Sequence, residues 1–170
     1  YFVAKEDRLN AKSGDLVHLQ VLGKRKMGNQ YAKVLEVLST VGDNASFSQI
    51  AIVDQDIPTK FSSEAIILAD AAKAAPLGNR DDLRDLPLVT VDGADAKDFD
   101  DAIFAEIDIN DNNPGGWHLI VCIADVAYYV RPGDALDQDA KYRGNSVYFP
   151  DQVVPMLPEA LSNGWCSLKP

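Results

Sequence analysis

Cysteine and histidine are scarce in this chain, which holds two residues of each among 170. Cys122 and Cys166 lack the close spacing of zinc ligands, and nothing in their pattern indicates a disulfide framework. Neither His18 nor His118 has a nucleophile or metal partner nearby in the sequence, so both are predicted to be structural. These shortages argue against a zinc site and a disulfide scaffold, and they favour a reducing, cytoplasmic location.

Long apolar runs are missing, and positive charge is in short supply. No run approaches the roughly 20 apolar residues that a membrane helix needs, so we expect no membrane partner. The chain has 16 Lys and Arg against 26 Asp and Glu, a net charge of −10. Such a balance argues against a protein that binds nucleic acid through its overall charge.

The acidic residues are concentrated in one stretch. Residues 81–111 hold eleven acids and two bases, whereas residues 1–60 are nearly balanced and contain a basic run, Lys24, Arg25 and Lys26. A nuclease needs an acidic metal site and a basic track for its substrate. Charge distribution alone therefore leaves that class open, and the basic run is a candidate contact for RNA phosphates.

Four of the five aspartates in residues 92–101 are the most informative feature of the chain: Asp92, Asp98, Asp100 and Asp101. At about 4 Å and an effective dielectric near 20, each like-charge contact costs roughly 4 kcal/mol. A folded protein keeps such a cluster only if it is well solvated, takes up protons or binds a cation. Magnesium prefers oxygen ligands, and in nucleotide chemistry a few carboxylates hold it together with substrate phosphates. The cluster therefore indicates a magnesium-dependent phosphodiester site, with a solvated acidic loop as the plain alternative.

Two other metal or phosphate sites fit this cluster poorly. An EF-hand loop that began at Asp98 would need an acid at its fifth position and glycine at its sixth, where Ala102 and Ile103 stand. The aspartyl-phosphatase pattern needs its acids directly after a buried strand, but Lys97 precedes Asp98.

The pattern of apolar and turn residues predicts an α+β fold. Residues 1–53 are typical of short strands, with two clear runs at 15–22 and 30–38, and suit the end of an OB-type β-barrel. Residues 61–73 are predicted to form a helix capped by Ser62 or Ser63, followed by an exposed linker over 74–85. Strands are expected at 86–91, 101–109 and 117–126, the last two forming a hairpin. Helices are expected from Asp134 to Arg143, stopped by Gly144, and over 159–163, stopped by Gly164. The predicted organisation is a partial barrel over 1–56, a helix and linker over 57–85, and a third segment over 86–170.

Seven short segments, in order, resemble one known family. They are DLRDLPLVTVD (82–92), DFDD (98–101), IADV (123–126), YVRPG (129–133), RGNSVYFP (143–150), VPMLP (154–158) and LSNGWCSL (161–168). Together they resemble the start of the catalytic RNB domain of the ribonuclease II and ribonuclease R family, and they are closer to ribonuclease R. The resemblance covers about half of the chain. It implies that residues 1–56 are the tail of a cold-shock domain and that residues 86–170 are the N-terminal part of an RNB domain, so we expect a fragment.

The resemblance also implies roles for individual residues. In the family, the aspartates at the positions of Asp92 and Asp101 hold the principal magnesium, the one matching Asp98 supports metal binding, and the one matching Asp100 is the critical catalytic carboxylate. Tyr148 matches a tyrosine that stacks on a base near the RNA 3′ end. The residues alone favour a different interpretation of Tyr148, a core tyrosine in a strand, and they do not yield the division of roles among the aspartates.

The function that follows is a fragment of a magnesium-dependent, processive 3′→5′ exoribonuclease that hydrolyses single-stranded RNA to 5′-nucleoside monophosphates. The expected partners are RNA, the remainder of the RNB domain and further OB-type (S1) barrels. Since further catalytic residues of the family lie downstream, the fragment alone is expected to be inactive. The alternatives are a non-catalytic RNA-binding module with an incomplete RNB domain, and a calcium-binding or structural acidic protein.

Overall fold

The computed structural model describes residues 1–26, 28–40, 46–94 and 96–169, with the side chains of residues 24–26 and 46 outside that description. Its elements in chain order are β1 (Phe2–Val3), a 3-10 turn (Lys5–Asp7), β2 (Leu16–Lys26), β3 (Asn29–Ser39), α1 (Ser46–Asp54), α2 (Ser63–Asp70), β4 (Asp101–Ile107), β5 (Trp117–Ile123), α3 (Val126–Tyr129), α4 (Ala135–Arg143), β6 (Val147–Tyr148), β7 (Val153–Val154) and a π-helical turn (Leu161–Trp165). No helix within these ranges has both the length and the apolar character needed to cross a bilayer. The chain divides into two compact units, residues 1–59 with 148–154, and residues 60–147 with 155–170.

The first unit is built on a long antiparallel hairpin. β2 and β3 pair from Leu16 opposite Ser39 to Lys26 opposite Asn29. Gly28 lies in the turn with a φ of +84°, a conformation that glycine adopts without strain. β1 joins the other edge of β3 in parallel, which gives the order β1-β3-β2. The predicted strands at 15–22 and 30–38 are therefore confirmed, with bounds extended toward the turn.

The helix α1 was not predicted, because residues 1–53 were interpreted as strands throughout. Its β-branched residues, Ile50, Ile52 and Val53, are typical of strands. The helix forms because it buries one side: Ser48 and Ile52 are buried, whereas Phe47 is exposed. Tertiary packing outweighs the local preference here.

The short segment 148–154 belongs to the first unit. It closes a tight hairpin between β6 and β7, in which the Phe149 amide donates to the Gln152 carbonyl at 2.8 Å. The Ser48 hydroxyl of α1 donates to the Asp151 carboxylate in the turn of this hairpin. A helix and a turn separated by about a hundred residues are thus tied together within one unit.

The second unit has its core between α2 and α4. The Ser62 hydroxyl caps α2 by accepting from the Ala65 amide at 3.2 Å, and Asp134 caps α4 by accepting from the Asp137 amide at 2.8 Å. Gly144 ends α4 with a φ of +80°. These caps were predicted. The buried cluster contains small and aliphatic residues from both helices and from the C-terminal segment: Ala65, Ala69, Leu136, Ala140, Leu157, Leu161 and Cys166.

The predicted hairpin of the second unit is confirmed as β4 and β5. Asp101 pairs with Ile123 at one end and Ile107 with Trp117 at the other. Residues 111–116 form its turn region, as the cluster of Asn, Pro and Gly predicts. Because side chains alternate along a strand, every second pair shares one face of the hairpin: Ile107–Trp117, Ala105–Leu119 and Ile103–Val121. Most of this face is exposed, with Trp117 at 64%, Leu119 at 59% and Val121 at 53%.

Two expected elements of this unit differ in the structure. The strand over 86–91 contracts to a single bridge between Val89 and Ile103, because the chain leaves the sheet directly afterwards and Val91 is already 85% exposed. The C-terminal helix was expected to stop at Gly164. It instead runs through that residue to Trp165, with a π-helical hydrogen bond from the Cys166 amide to the Leu161 carbonyl at 2.8 Å.

Candidate metal and nuclease site

The four aspartates lie in and just after the loop that joins the Val89 bridge to β4. Asp92 is exposed in the first part of this loop, and Asp98 is half-buried toward its end. Asp100 is the last residue before β4, and Asp101 is the first residue of the strand, paired with Ile123. We call residues 91–100 the aspartate loop.

Backbone hydrogen bonds hold the aspartate loop at both ends. Val89 and Ile103 exchange two of them, at 2.9 and 2.8 Å, immediately before the loop. At the other end the Ala124 amide donates to the Asp100 carbonyl at 2.9 Å, which extends the β4–β5 pairing by one residue. Asp92 and Asp100 are thus held at the same edge of the hairpin although eight residues separate them.

A third anchor acts inside the loop, from a distant part of the chain. The Phe99 amide donates to the Ser167 Oγ at 3.0 Å, and the Leu168 amide donates to the Phe99 carbonyl at 2.8 Å. The Ser167 hydroxyl is also 3.4 Å from the Lys97 carbonyl, to which it donates. The backbone on both sides of Asp98 is therefore fixed by residues 167–168.

The carboxylates share one electrostatic neighbourhood centred on Asp100. Burial raises the pKa of the Asp100 carboxyl above its ordinary value, and the charges of Asp98, Asp101 and Asp92 raise it further. All four aspartates predicted from the sequence are therefore close enough to act on one group.

The donor set fits a hard divalent cation in kind, because all four side chains offer carboxylate oxygens. The positions of the side chains do not yet suit an ion: among the described residues, no group of three or more His, Cys, Asp or Glu side chains is arranged to hold one. A coordination shell of three carboxylates would therefore require side-chain rotation. Such rotation is inexpensive for exposed residues such as Asp92 and Asp101.

Cys166 lies close to this acidic neighbourhood and is buried. Burial, followed by the charges of Asp100 and Asp125, raises the pKa of its thiol to about 11. The thiol is therefore protonated at neutral pH and is a poor nucleophile. Cys122, in β5, is only partly buried.

Asp125, in the IADV segment, is half-exposed and caps α3. Its carboxylate accepts from the Tyr128 amide at 3.1 Å and from the Arg80 guanidinium at 2.5 Å. The Arg80 hydrogen bond is the main reason that the pKa of Asp125 lies below its ordinary value. The guanidinium carbons of Arg80 and Arg131 lie 5.4 and 5.2 Å from the centre of the Tyr128 ring. Sequence reasoning missed this group because Arg80 lies in the segment predicted to be a plain linker.

The RNA-binding candidates belong to the first unit. Tyr148 ends β6 and is 66% exposed, so its ring is not a core side chain. Lys24, Arg25 and Lys26 form the end of β2 next to the hairpin turn, and their side chains lie outside the described residues.

Two protein-family models match the chain, each over a different range. The family model of the RNB domain matches residues 80–170, and that of the cold shock domain matches residues 1–62. The expected α+β fold, with a cold-shock barrel ahead of the start of an RNB domain, is thereby confirmed.

The similar proteins are ribonucleases R. The chain is 47% identical over 174 residues to ribonuclease R of Vibrio parahaemolyticus, covering 99% of this chain and 20% of that protein. It is 49% identical over 145 residues to ribonuclease R of Escherichia coli, covering 81% and 17%. Mycoplasma genitalium RNase R in complex with ribose methylated single-stranded RNA superposes with a TM-score of 0.82 at 32% identity, covering 99% of this chain and 27% of that one. The chain thus spans about a fifth of the length of the curated relatives it matches.

Proposed function

This chain belongs to the RNB-domain family, and we propose on that basis that it is part of a magnesium-dependent exoribonuclease that degrades single-stranded RNA from its 3′ end. The proposed reaction is processive hydrolysis of the terminal phosphodiester, with release of 5′-nucleoside monophosphates. The observation that carries the proposal is the placement of four aspartates around Asp100 within a segment of this family.

The aspartates supply the groups that such a reaction needs from this part of the protein. Asp92, Asp98 and Asp101 are the proposed magnesium ligands, in line with their hard oxygen donors. Bound magnesium would activate water and stabilise the charge of the leaving oxygen. We assign the catalytic role to Asp100, whose carboxylate oxygen accepts a proton more readily than an ordinary aspartate because its pKa is raised.

The first unit is proposed to supply contacts to RNA. Stacking of a terminal base on the exposed Tyr148 ring would hold a single strand regardless of sequence. Lys24, Arg25 and Lys26 are proposed to contact phosphates, since a chain with a net charge of −10 needs local basic groups to meet a polyanion.

The remaining parts of the proposal concern the whole protein. Its partners are proposed to be the rest of the RNB domain and further OB-type barrels, in keeping with relatives about five times longer than this chain. A cytoplasmic location is proposed, in keeping with two free cysteines. The alternative function is a non-catalytic RNA-binding module. It is favoured by one observation, that no three acidic side chains among the described residues converge on a point.

The test is degradation of a 5′-labelled single-stranded homopolymer by the full-length protein. We expect loss of the 3′ end in magnesium, arrest in excess EDTA and recovery when magnesium is restored. The Asp111→Asn variant, which removes one negative charge from the β4–β5 turn, should behave like the wild type. Undiminished activity in excess EDTA would refute the metal mechanism, and RNA binding without degradation would favour the alternative.

A further inference from the structure

Ser167 occupies an unusual position between two segments of the second unit. It follows the π-helical turn, and its own amide donates back to the Gly164 carbonyl at 3.1 Å. That hydrogen bond, and the neighbouring one from the Cys166 amide to the Leu161 carbonyl, fix the backbone from which the Ser167 side chain projects. The hydroxyl is thus presented by ordered backbone rather than by a free end.

The Ser167 hydroxyl forms two hydrogen bonds with backbone groups of the aspartate loop. It accepts from the Phe99 amide at 3.0 Å and donates to the Lys97 carbonyl at 3.4 Å. These two groups bracket Asp98, and the Phe99 carbonyl is held by Leu168. The Ser167 oxygen therefore contacts the backbone on both sides of Asp98, and its contact at Phe99 directly precedes Asp100.

The aspartate loop needs such an anchor because its charges oppose it. The charges of Asp98, Asp101 and Asp92 all act on Asp100, and like-charge repulsion favours backbone movement that separates them from it. The loop is without helix or strand of its own between residues 91 and 100, apart from the undescribed residue 95. External hydrogen bonds, rather than its own secondary structure, must therefore hold it.

We propose that Ser167 is a positioning residue for the proposed metal site, whose hydroxyl fixes the backbone from which Asp98 and Asp100 project. This inference rests on the proposed function, since it assigns Ser167 to the magnesium site of that reaction. Groups that orient metal ligands commonly change metal affinity or activity by about 10- to 100-fold when removed. An effect of that size is expected here.

The experiment compares variants of the full-length protein that differ in the hydroxyl. Ser167→Ala removes it, and the pair Ser167→Thr and Ser167→Val isolates it at nearly constant shape. Ser162→Ala is the matched control, because the Ser162 hydroxyl lies 3.5 Å from Asn163 within the preceding turn. Binding of Mn²⁺ is measured from the electron paramagnetic resonance signal of the free ion, and hydrolysis of a labelled single strand is measured against magnesium concentration.

The Ala and Val variants should bind Mn²⁺ about 10- to 100-fold more weakly than the wild type. Their half-maximal magnesium concentration should rise by a similar factor, with activity recovered at high magnesium and KM for RNA unchanged. The Thr variant and the Ser162 control should match the wild type.

Wild-type Mn²⁺ affinity in both hydroxyl-free variants would overturn the proposal. A lower melting temperature with unchanged Mn²⁺ affinity would also overturn it, since Ser167 would then act in stability alone. Failure of the proposed function has a different signature. A wild-type protein that binds Mn²⁺ without hydrolysing RNA would refute the nuclease activity. The ratio of the Mn²⁺ affinities of wild type and variants would still decide the role of Ser167. A wild type that binds no Mn²⁺ would refute both.

Discussion

Replacing Asp100 with asparagine should stabilise the metal-free protein. The carboxyl of Asp100 has a raised pKa because of burial and because Asp98, Asp101 and Asp92 repel its charge. Asparagine keeps the shape and removes the charge. In the absence of a cation, the substitution therefore relieves repulsion without creating a cavity.

The size of the gain is limited by solvent. Asp100 is exposed as a residue and its carboxyl is only partly desolvated, so the high-dielectric value of about 1 kcal/mol for a like-charge contact at 4 Å applies, rather than the larger values for interior pairs. With screening by salt, we expect a total gain of about 1 kcal/mol for the three neighbours together. A gain of that size raises the melting temperature by about 2–4 °C for a chain of this length.

The gain should depend on pH with a definite sign. Because the folded pKa of Asp100 lies above its ordinary value of 3.8, the wild type is relatively most stable when this carboxyl is protonated. That stability is lost as pH rises through the folded pKa. The variant and the wild type should therefore melt together below about pH 3.8 and diverge at higher pH, with the variant more stable.

The assay is thermal unfolding of the metal-free chain in EDTA, at low and high salt, across this pH range. The Asp111→Asn variant controls for loss of one negative charge elsewhere on β4–β5. High salt should shrink the difference between Asp100→Asn and the wild type. A variant that is less stable than the wild type at neutral pH, or a difference that does not change with pH, would refute the repulsion that we place at Asp100.

Three further predictions follow from the fold and the proposed function. Tyr148→Ala in the full-length protein should raise KM or lengthen the final undigested RNA, since a stacked base contributes about 1–3 kcal/mol; a large fall in melting temperature with unchanged products would contradict this. Asp134→Ala should lower the free energy of unfolding by about 1 kcal/mol through loss of the α4 cap, measured by urea unfolding, and an unchanged value would contradict it. The isolated chain should release no mononucleotides and should self-associate through the exposed β4–β5 face, and Leu119→Lys should reduce that association in light scattering. Active monomers would contradict both parts of this last expectation.

Local features of the chain were predictable from the sequence. The sequence predicts the helix caps Ser62 and Asp134 and the helix end at Gly144, because each acts within a few residues of its own helix. The β4–β5 hairpin is readable because alternating apolar residues flank a turn cluster. The grouping of the aspartates was predictable because they are neighbours in sequence.

Features that depend on distant parts of the chain were not predictable. The strand-like residues of α1 form a helix because of what they bury, and no local pattern reports that burial. The strand over 86–91 is reduced to one bridge at Val89, since the loop must leave the sheet to place Asp92. Ser167 contacts Phe99 from 68 residues away, and a lone serine carries no periodic signal of that contact.

The central claim is that Asp100 carries the chemistry of a nuclease site, and Asp100→Asn in the full-length protein tests it most directly. Single-turnover release of nucleotides from the 3′ end of a labelled single strand is measured in saturating magnesium, alongside equilibrium binding of the same RNA. The account predicts that hydrolysis is abolished while RNA binding is retained, because asparagine cannot accept the proton that the Asp100 carboxylate takes. Hydrolysis at the wild-type rate by a correctly folded Asp100→Asn protein would contradict it.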